Sequence, residues 1–163
     1  MGFLQNCILR KNSKEIAKAL IEMGYHTYDI KEYGGCPEYW SIVVEVDIAY
    51  AGIWNNMPNN NIINDFIDCG DNEKMFLALA ALRDDSDLYQ WFVYPKIKYI
   101  KLPGYFPQMV GMDGTERIIE GYEWHVSYRN DLTIRINDAI KCGEDPKFLP
   151  HKATVKEIID HFK

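Results

Sequence analysis

The sequence predicts an α+β fold: a single domain over residues 1–163, built as a two-layer sandwich of helices on a sheet. Three observations lead there. Apolar residues recur at helical spacing in three places, at residues 13–23, from Met75 to Leu82, and from Val155 to Phe162. Between these stretches, apolar and polar residues alternate as they do in strands, most clearly from Ser41 to Ile48 and from Tyr122 to Tyr128. Up to Tyr94 the order is strand, helix, strand, strand, helix, strand, which is that of a ferredoxin-like sandwich, and a C-terminal β-hairpin and helix extend it.

The stretch from Cys69 to Tyr94 organises the rest. Met75, Phe76, Leu77, Leu79 and Leu82, interleaved with alanines, make a helix that is apolar all round and has to be enclosed. Asp71 or Asn72 suits its cap, and Gln90 to Tyr94 reads as a short buried strand after it. At the start, Phe3 to Leu9 reads as a first strand. Asn12 with Glu15 has capping-box spacing, and Ile16, Leu20 and Met23 form the stripe of the helix that follows. Gly24 supplies its left-handed end, with Tyr25 folding back onto Leu20.

His26 to Tyr33 and Ser41 to Ile48 read as the second and third strands, separated by the Gly34-Gly35 loop. The segment around Asn55, Asn59 and Asn61 reads as an exposed loop. Lys96 to Leu102 offers another strand. Tyr122, Trp124, Val126 and Tyr128 alternate with Glu123, His125, Ser127 and Arg129, as in a strand with one wet face. Residues 130–142 fit both a strand and a helix; the alternation of Leu132, Ile134 and Ile136 favours a hairpin partner for 122–128 and then a short helical turn. Thr154 and Glu157 form a capping box ahead of the stripe Val155, Ile158, Ile159 and Phe162.

Composition narrows the function classes. A chain of 163 residues buries roughly 70% of its unfolded surface, so its core needs no metal or disulfide. The net charge of −6 argues against a dedicated nucleic-acid binder, which carries a basic excess. No apolar run approaches the ~20 residues of a membrane span, and no signal peptide is evident, so a cytoplasmic protein is expected. The cysteines at 7, 36, 69 and 142 show no CxxC spacing and read as reduced thiols.

Two segments carry a resemblance. CILRKNSKEIAKALIEMGY and FIDCGDNEKMFLALAALRDDSDLYQWF resemble stretches in uncharacterised small proteins of bacteria, their phages and mobile elements. The resemblance covers about the first two thirds of the chain. It implies an intracellular bacterial or mobile-element protein and transfers no activity and no site residue.

No catalytic constellation stands out. Cys36 with His26, His125, His151 or His161 would supply a thiol and a base, but no local signature accompanies them, and buried inert cysteine is the commoner case. Cys69 opens a helix, which favours a thiolate, yet Asp68 and Asp71 oppose it. Asp65, Asp68, Asp71 and Glu73 form one acidic group and Asp84, Asp85 and Asp87 another. The second lacks a calcium-loop pattern and reads as a solvated turn. Glu45 and Asp47 share a strand face without a third ligand. Neither HExxH nor a Cys/His zinc spacing nor a phosphate-binding glycine loop occurs, so neither metal nor cofactor is expected. Lys96, Lys98 and Lys101 among Tyr94, Tyr99 and Tyr105 would suit single-stranded nucleic acid, but a lysine-guarded edge strand explains them equally and is favoured.

Aromatic content points elsewhere. Eleven tyrosines and four tryptophans exceed what a core of this size requires, and these residues suit surfaces that are half apolar and half wet. Tyr39, Trp40, Trp54, Tyr99 and Tyr105, in or beside turn-prone segments, are the expected interaction surface, for a homo-oligomer or a protein partner. The favoured function is therefore a non-enzymatic interaction or regulatory protein. The alternative is a hydrolase whose Cys/His or carboxylate-metal site is assembled only in space.

Overall fold

The computed structural model describes residues 3–11, 13–27, 41–42, 44–45, 48–52, 66–101 and 115–163. The fold is α+β, with α1 (Lys14–Met23), α2 (Glu73–Ala80), α3 (Leu132–Lys141) and α4 (Val155–Phe162) set against short sheets. In the first sheet β1 (Cys7–Leu9) is central. It pairs antiparallel with β5 (Ile48–Ala51) and parallel with β6 (Ile67–Asp68), and β4 (Val44–Glu45) flanks β5. A second sheet has the order β8-β7-β9, from β8 (Thr115–Val126), β7 (Trp91–Lys101) and β9 (His151–Lys152). A parallel pair joins β2 (His26–Thr27) to β3 (Ser41–Ile42).

These pairings depart from the ferredoxin-like order. In that order the last strand lies beside the first, whereas β7 pairs with β8 and β9. Of the expected third strand, Ser41–Ile42 pairs with β2, and Val44–Glu45 pairs antiparallel with Ile48–Ala51. Residues 28–40, 53–65 and 102–114 lie outside the described residues, and with them most of the expected second strand and the Asn-rich loop.

Local capping accounts for three of the helices. Ser13 Oγ accepts from Ile16 N at 3.2 Å and caps α1; the expected cap, Asn12, lies outside the described residues. Gly24, at φ +108°, ends α1, and Tyr25 N bonds Leu20 O at 3.0 Å. Asn72 caps α2 through Met75 N at 3.0 Å. In α4, Thr154 Oγ1 accepts from Glu157 N at 3.3 Å while the Glu157 carboxylate accepts from Thr154 N at 2.9 Å, a complete capping box.

The core lies where α2 is enclosed. Phe76, Leu79 and Ala80 are fully buried and Met75 and Ala78 nearly so, packed with Leu9, Leu20, Val93 and Ile158 from β1, α1, β7 and α4. Enclosing a run of that kind is the main stabilising contribution of the helix, at about 1.5–3 kcal/mol per large side chain. Tyr25 Oη donates to Ala80 O at 2.7 Å, so its buried hydroxyl is satisfied and ties the end of α1 to the end of α2.

Two expectations for the C-terminal third are corrected. Residues 132–141 are helix α3, and the partner of 122–126 is β7, which continues through Pro95 for eleven residues. Proline is tolerated there because β9 covers only Phe92 and Val93, so among the described strands nothing needs an N–H from residue 95. The β7–β8 register shifts at Lys96/Ile97, which face Gly121 and Ile119, leaving Glu120 as the extra residue of a bulge.

Candidate functional site: an aromatic groove

Trp91 and Val93 of β7 and Trp124 and Val126 of β8 lie on one face of the second sheet, because they are directly paired in register. α4 crosses this face. Phe162 meets Trp91 edge-on at 5.2 Å, and His161 stacks on Trp124 at 4.0 Å with planes 13° apart. The two indoles stand 6.4 Å apart and tilted. α2 closes the far side with Lys74, Leu77 and Ala78, and Met23 of α1 reaches in.

The helices do not cover the whole face. Tyr122 remains 57% exposed and Tyr128 75% exposed, and an open groove of about 700 Å³ lies between the helices and these rings. The alternation of 122–128 therefore does not mark a dry face and a wet face. Glu123 and His125 are exposed on one side, and the aromatic side is itself half open.

Tyr89 completes the wall from a strained position. It is the one non-glycine among the described residues with positive φ, +61°, a conformation that costs an L side chain about 1–2 kcal/mol. Its N–H donates to Ser127 O at 2.7 Å, and its ring meets Tyr128 edge-on at 6.2 Å. Strain of this kind persists where the surroundings over-determine it, and here it sets an aromatic ring at the mouth of a groove.

The polar face of the same sheet is internally neutralised. Lys96 pairs with Glu123 and Lys98 with Glu120, both at 3.0 Å, so these lysines guard the strand and are not a free basic track. Glu123 is held below the usual carboxylate range by hydrogen bonds from Lys96 and His125.

The residues singled out from the sequence are dispersed. Tyr99 is on the outer half of β7, 65% exposed, and Tyr39, Trp40, Trp54 and Tyr105 lie outside the described residues. Cys36, Asp47 and Asp65 are also outside them. Cys7 and Cys69 are buried and Cys142 is exposed, all three as free thiols; burial pushes the Cys7 thiol well above its usual range. His125 contacts Glu123, His151 contacts Glu157 at 2.8 Å, and His161 stacks on Trp124, so none of these bonds a described cysteine. Among the described residues no three His, Cys, Asp or Glu side chains converge on a possible metal position.

The second acidic group is not a solvated turn throughout. Asp85 pairs with Arg83, but Asp87 is only 3% exposed, accepting from Thr133 and from Lys152 Nζ at 3.0 Å. The signal that could have located the groove was already present in the spacing of Tyr122, Trp124, Val126 and Tyr128 together with Trp91. The alternation predicts one wet face and one packed face, and it does not show how much of the packed face is covered. No described helix is long and apolar enough to cross a membrane. No family model, curated protein or solved structure matches this chain.

Proposed function

We propose that this chain is a non-enzymatic interaction or regulatory protein of the bacterial cytoplasm or of a phage, and that it captures its ligand or partner in the aromatic groove. The observation that carries this reading is the half-open wall of Tyr89, Trp91, Tyr122, Trp124 and Tyr128, rings whose polar atoms suit a contact surface better than a core. A groove of this size, apolar with a few polar atoms, is the usual form of a binding site.

A thermal-shift screen of small molecules and short peptides tests it, run in parallel on the native protein, Trp124→Ala and Tyr128→Ala. Compounds that raise the melting temperature of the native chain are expected to lose their effect in both variants. Hits that stabilise all three proteins equally would overturn the assignment. Light scattering over a concentration series identifies a second copy as the occupant if mass rises for the native chain and not for Tyr128→Ala.

A further inference from the structure

Among the described residues the groove presents donors and a positive charge without an Asp or Glu carboxylate to answer them. Trp91 and Trp124 carry indole N–H groups, which only donate, and Lys74 carries three ammonium donors. Neither indole N–H nor the Lys74 ammonium, nor the hydroxyls of Tyr89, Tyr122 and Tyr128, has a hydrogen-bond or ion-pair partner among the described residues. None of these atoms is sealed away, since the one buried and unpartnered side-chain atom among the described residues is Gln90 Oε1. No described Asp or Glu lines the groove, although the chain as a whole carries a charge of −6. The nearest acid in sequence, Glu73, is held by Lys11 at 2.6 Å, and no described acid pairs with Lys74.

We propose that the ligand of this groove is a small planar anion, an aromatic or heteroaromatic ring bearing a carboxylate or a phosphate. This rests on the groove being a binding site. The ring stacks among Tyr89, Trp91, Tyr122 and Tyr128, where offset or edge contacts between π systems contribute beyond area alone. The anionic group lies toward Lys74, and the indole N–H groups and tyrosine hydroxyls meet its acceptor atoms. The volume of about 700 Å³ falls in the range of small-molecule sites, roughly 300–1,000 Å³. An aromatic cage also attracts cations, but Lys74 at the rim opposes a second positive charge.

The test is quenching of tryptophan emission in the full-length protein, titrated with named probes. 1-Naphthoate and adenosine 5′-monophosphate represent the two anionic groups; 1-naphthalenemethanol and adenosine are their uncharged counterparts. Inorganic phosphate and tetramethylammonium are the ring-free controls. Saturable quenching is expected for at least one anionic ring, and which of the two binds identifies carboxylate or phosphate. The anion should bind about fivefold tighter than its uncharged counterpart, the upper end for an exposed ion pair. Lys74→Gln, at an exposed position, should remove that preference and leave the uncharged ring unchanged. Equal binding of charged and uncharged rings, preference for tetramethylammonium, or an anion preference that survives Lys74→Gln overturns the proposal. If uncharged rings bind to the native chain and not to Trp124→Ala, the anion assignment falls and the groove remains a binding site. If no probe binds, the anion assignment falls, and the parallel screen of Trp124→Ala and Tyr128→Ala decides the groove.

Discussion

The carboxylate of Asp87 accepts two hydrogen bonds from Thr133, one from the backbone N–H at 2.7 Å and one from Oγ1 at 2.6 Å. Helix α3 is thus capped from 46 residues away. The residue at its own cap position, Asp131, makes no cap bond because Arg129 and Arg135 hold its carboxylate. Lys152 Nζ, 3.0 Å from Asp87, balances the buried charge and also donates to the carbonyls of Arg83 and Ser86.

Asp87→Ala is expected to destabilise the protein by about 3 kcal/mol, because it uncaps α3 and leaves Lys152 without its buried partner. A urea melt followed by helical circular dichroism measures this. Burial pushes the Asp87 carboxyl up, but bonds from Thr133 and Lys152 outweigh it and hold the group below its ordinary value. A lowered folded-state value means that the contribution is present above the unfolded-state value. It is lost as pH falls through about 4 and below. The native protein should therefore lose stability more steeply in this range than Asp87→Ala.

Leu79 is fully buried in α2, so Leu79→Asp should abolish soluble folding, while Leu79→Ala should cost about 2–5 kcal/mol. Lys18→Ala, on the exposed side of α1, should stay within about 0.5 kcal/mol. A denaturant melt in which Leu79→Ala and Lys18→Ala coincide would show that α2 is not the organising element.

Thr154→Ala removes one half of the capping box of α4 and should cost about 1 kcal/mol. Lys156→Ala, exposed in the same turn, should not exceed about 0.5 kcal/mol. Thermal melts of the two variants, side by side, provide the check.

Tyr89→Asn separates backbone strain from ring contacts. Asparagine tolerates the left-handed conformation, so relief of strain should offset much of the lost packing and hold the change in stability within about 1 kcal/mol. Ligand binding in the groove should weaken nonetheless, because the ring is gone. Loss of several kcal/mol in a chemical melt would show that the ring is mainly structural.

Thiol reactivity should follow exposure. An alkylating reagent mapped by mass spectrometry should label Cys142 quickly in the native state. Cys7 and Cys69 should react only under denaturing conditions, since both are buried and the Cys7 thiolate is further disfavoured by desolvation. Rapid native-state labelling of Cys7 would mean that the core around β1 opens.

What could be read from the sequence was what is local. Gly24 at the end of α1, Asp71 or Asn72 before α2, and Thr154 with Glu157 before α4 mark their helices within a few residues, and the three helices lie close to where those signals place them, with Ser13 as the observed cap of α1. α3 departs from the hairpin expectation because its cap is supplied by Asp87 and because none of its residues is buried, so its apolar spacing records no core contact. The partner of 122–126 differs from the expected one for a related reason. Strand pairing is non-local, and Trp91 to Lys101 carries no mark that names its neighbour. For the groove, the side chains are visible in the sequence but their exposure is not, since it depends on how α2 and α4 pack over the face that carries Tyr122 and Tyr128.

Asn72 does more than begin α2. While Oδ1 accepts from Met75 N, its Nδ2 donates to Phe162 O at 2.6 Å, in the last turn of α4. Helix ends are ordinarily the first parts of a fold to open, each on its own, with little cost in free energy. Here the beginning of one helix and the end of another share a single side-chain amide, so neither frays without loosening the other. His161 and Phe162 ride on that turn. The breathing of the groove wall is therefore governed by a residue that does not line it, and hydrogen exchange at the first turn of α2 and the last turn of α4 should proceed through one common opening.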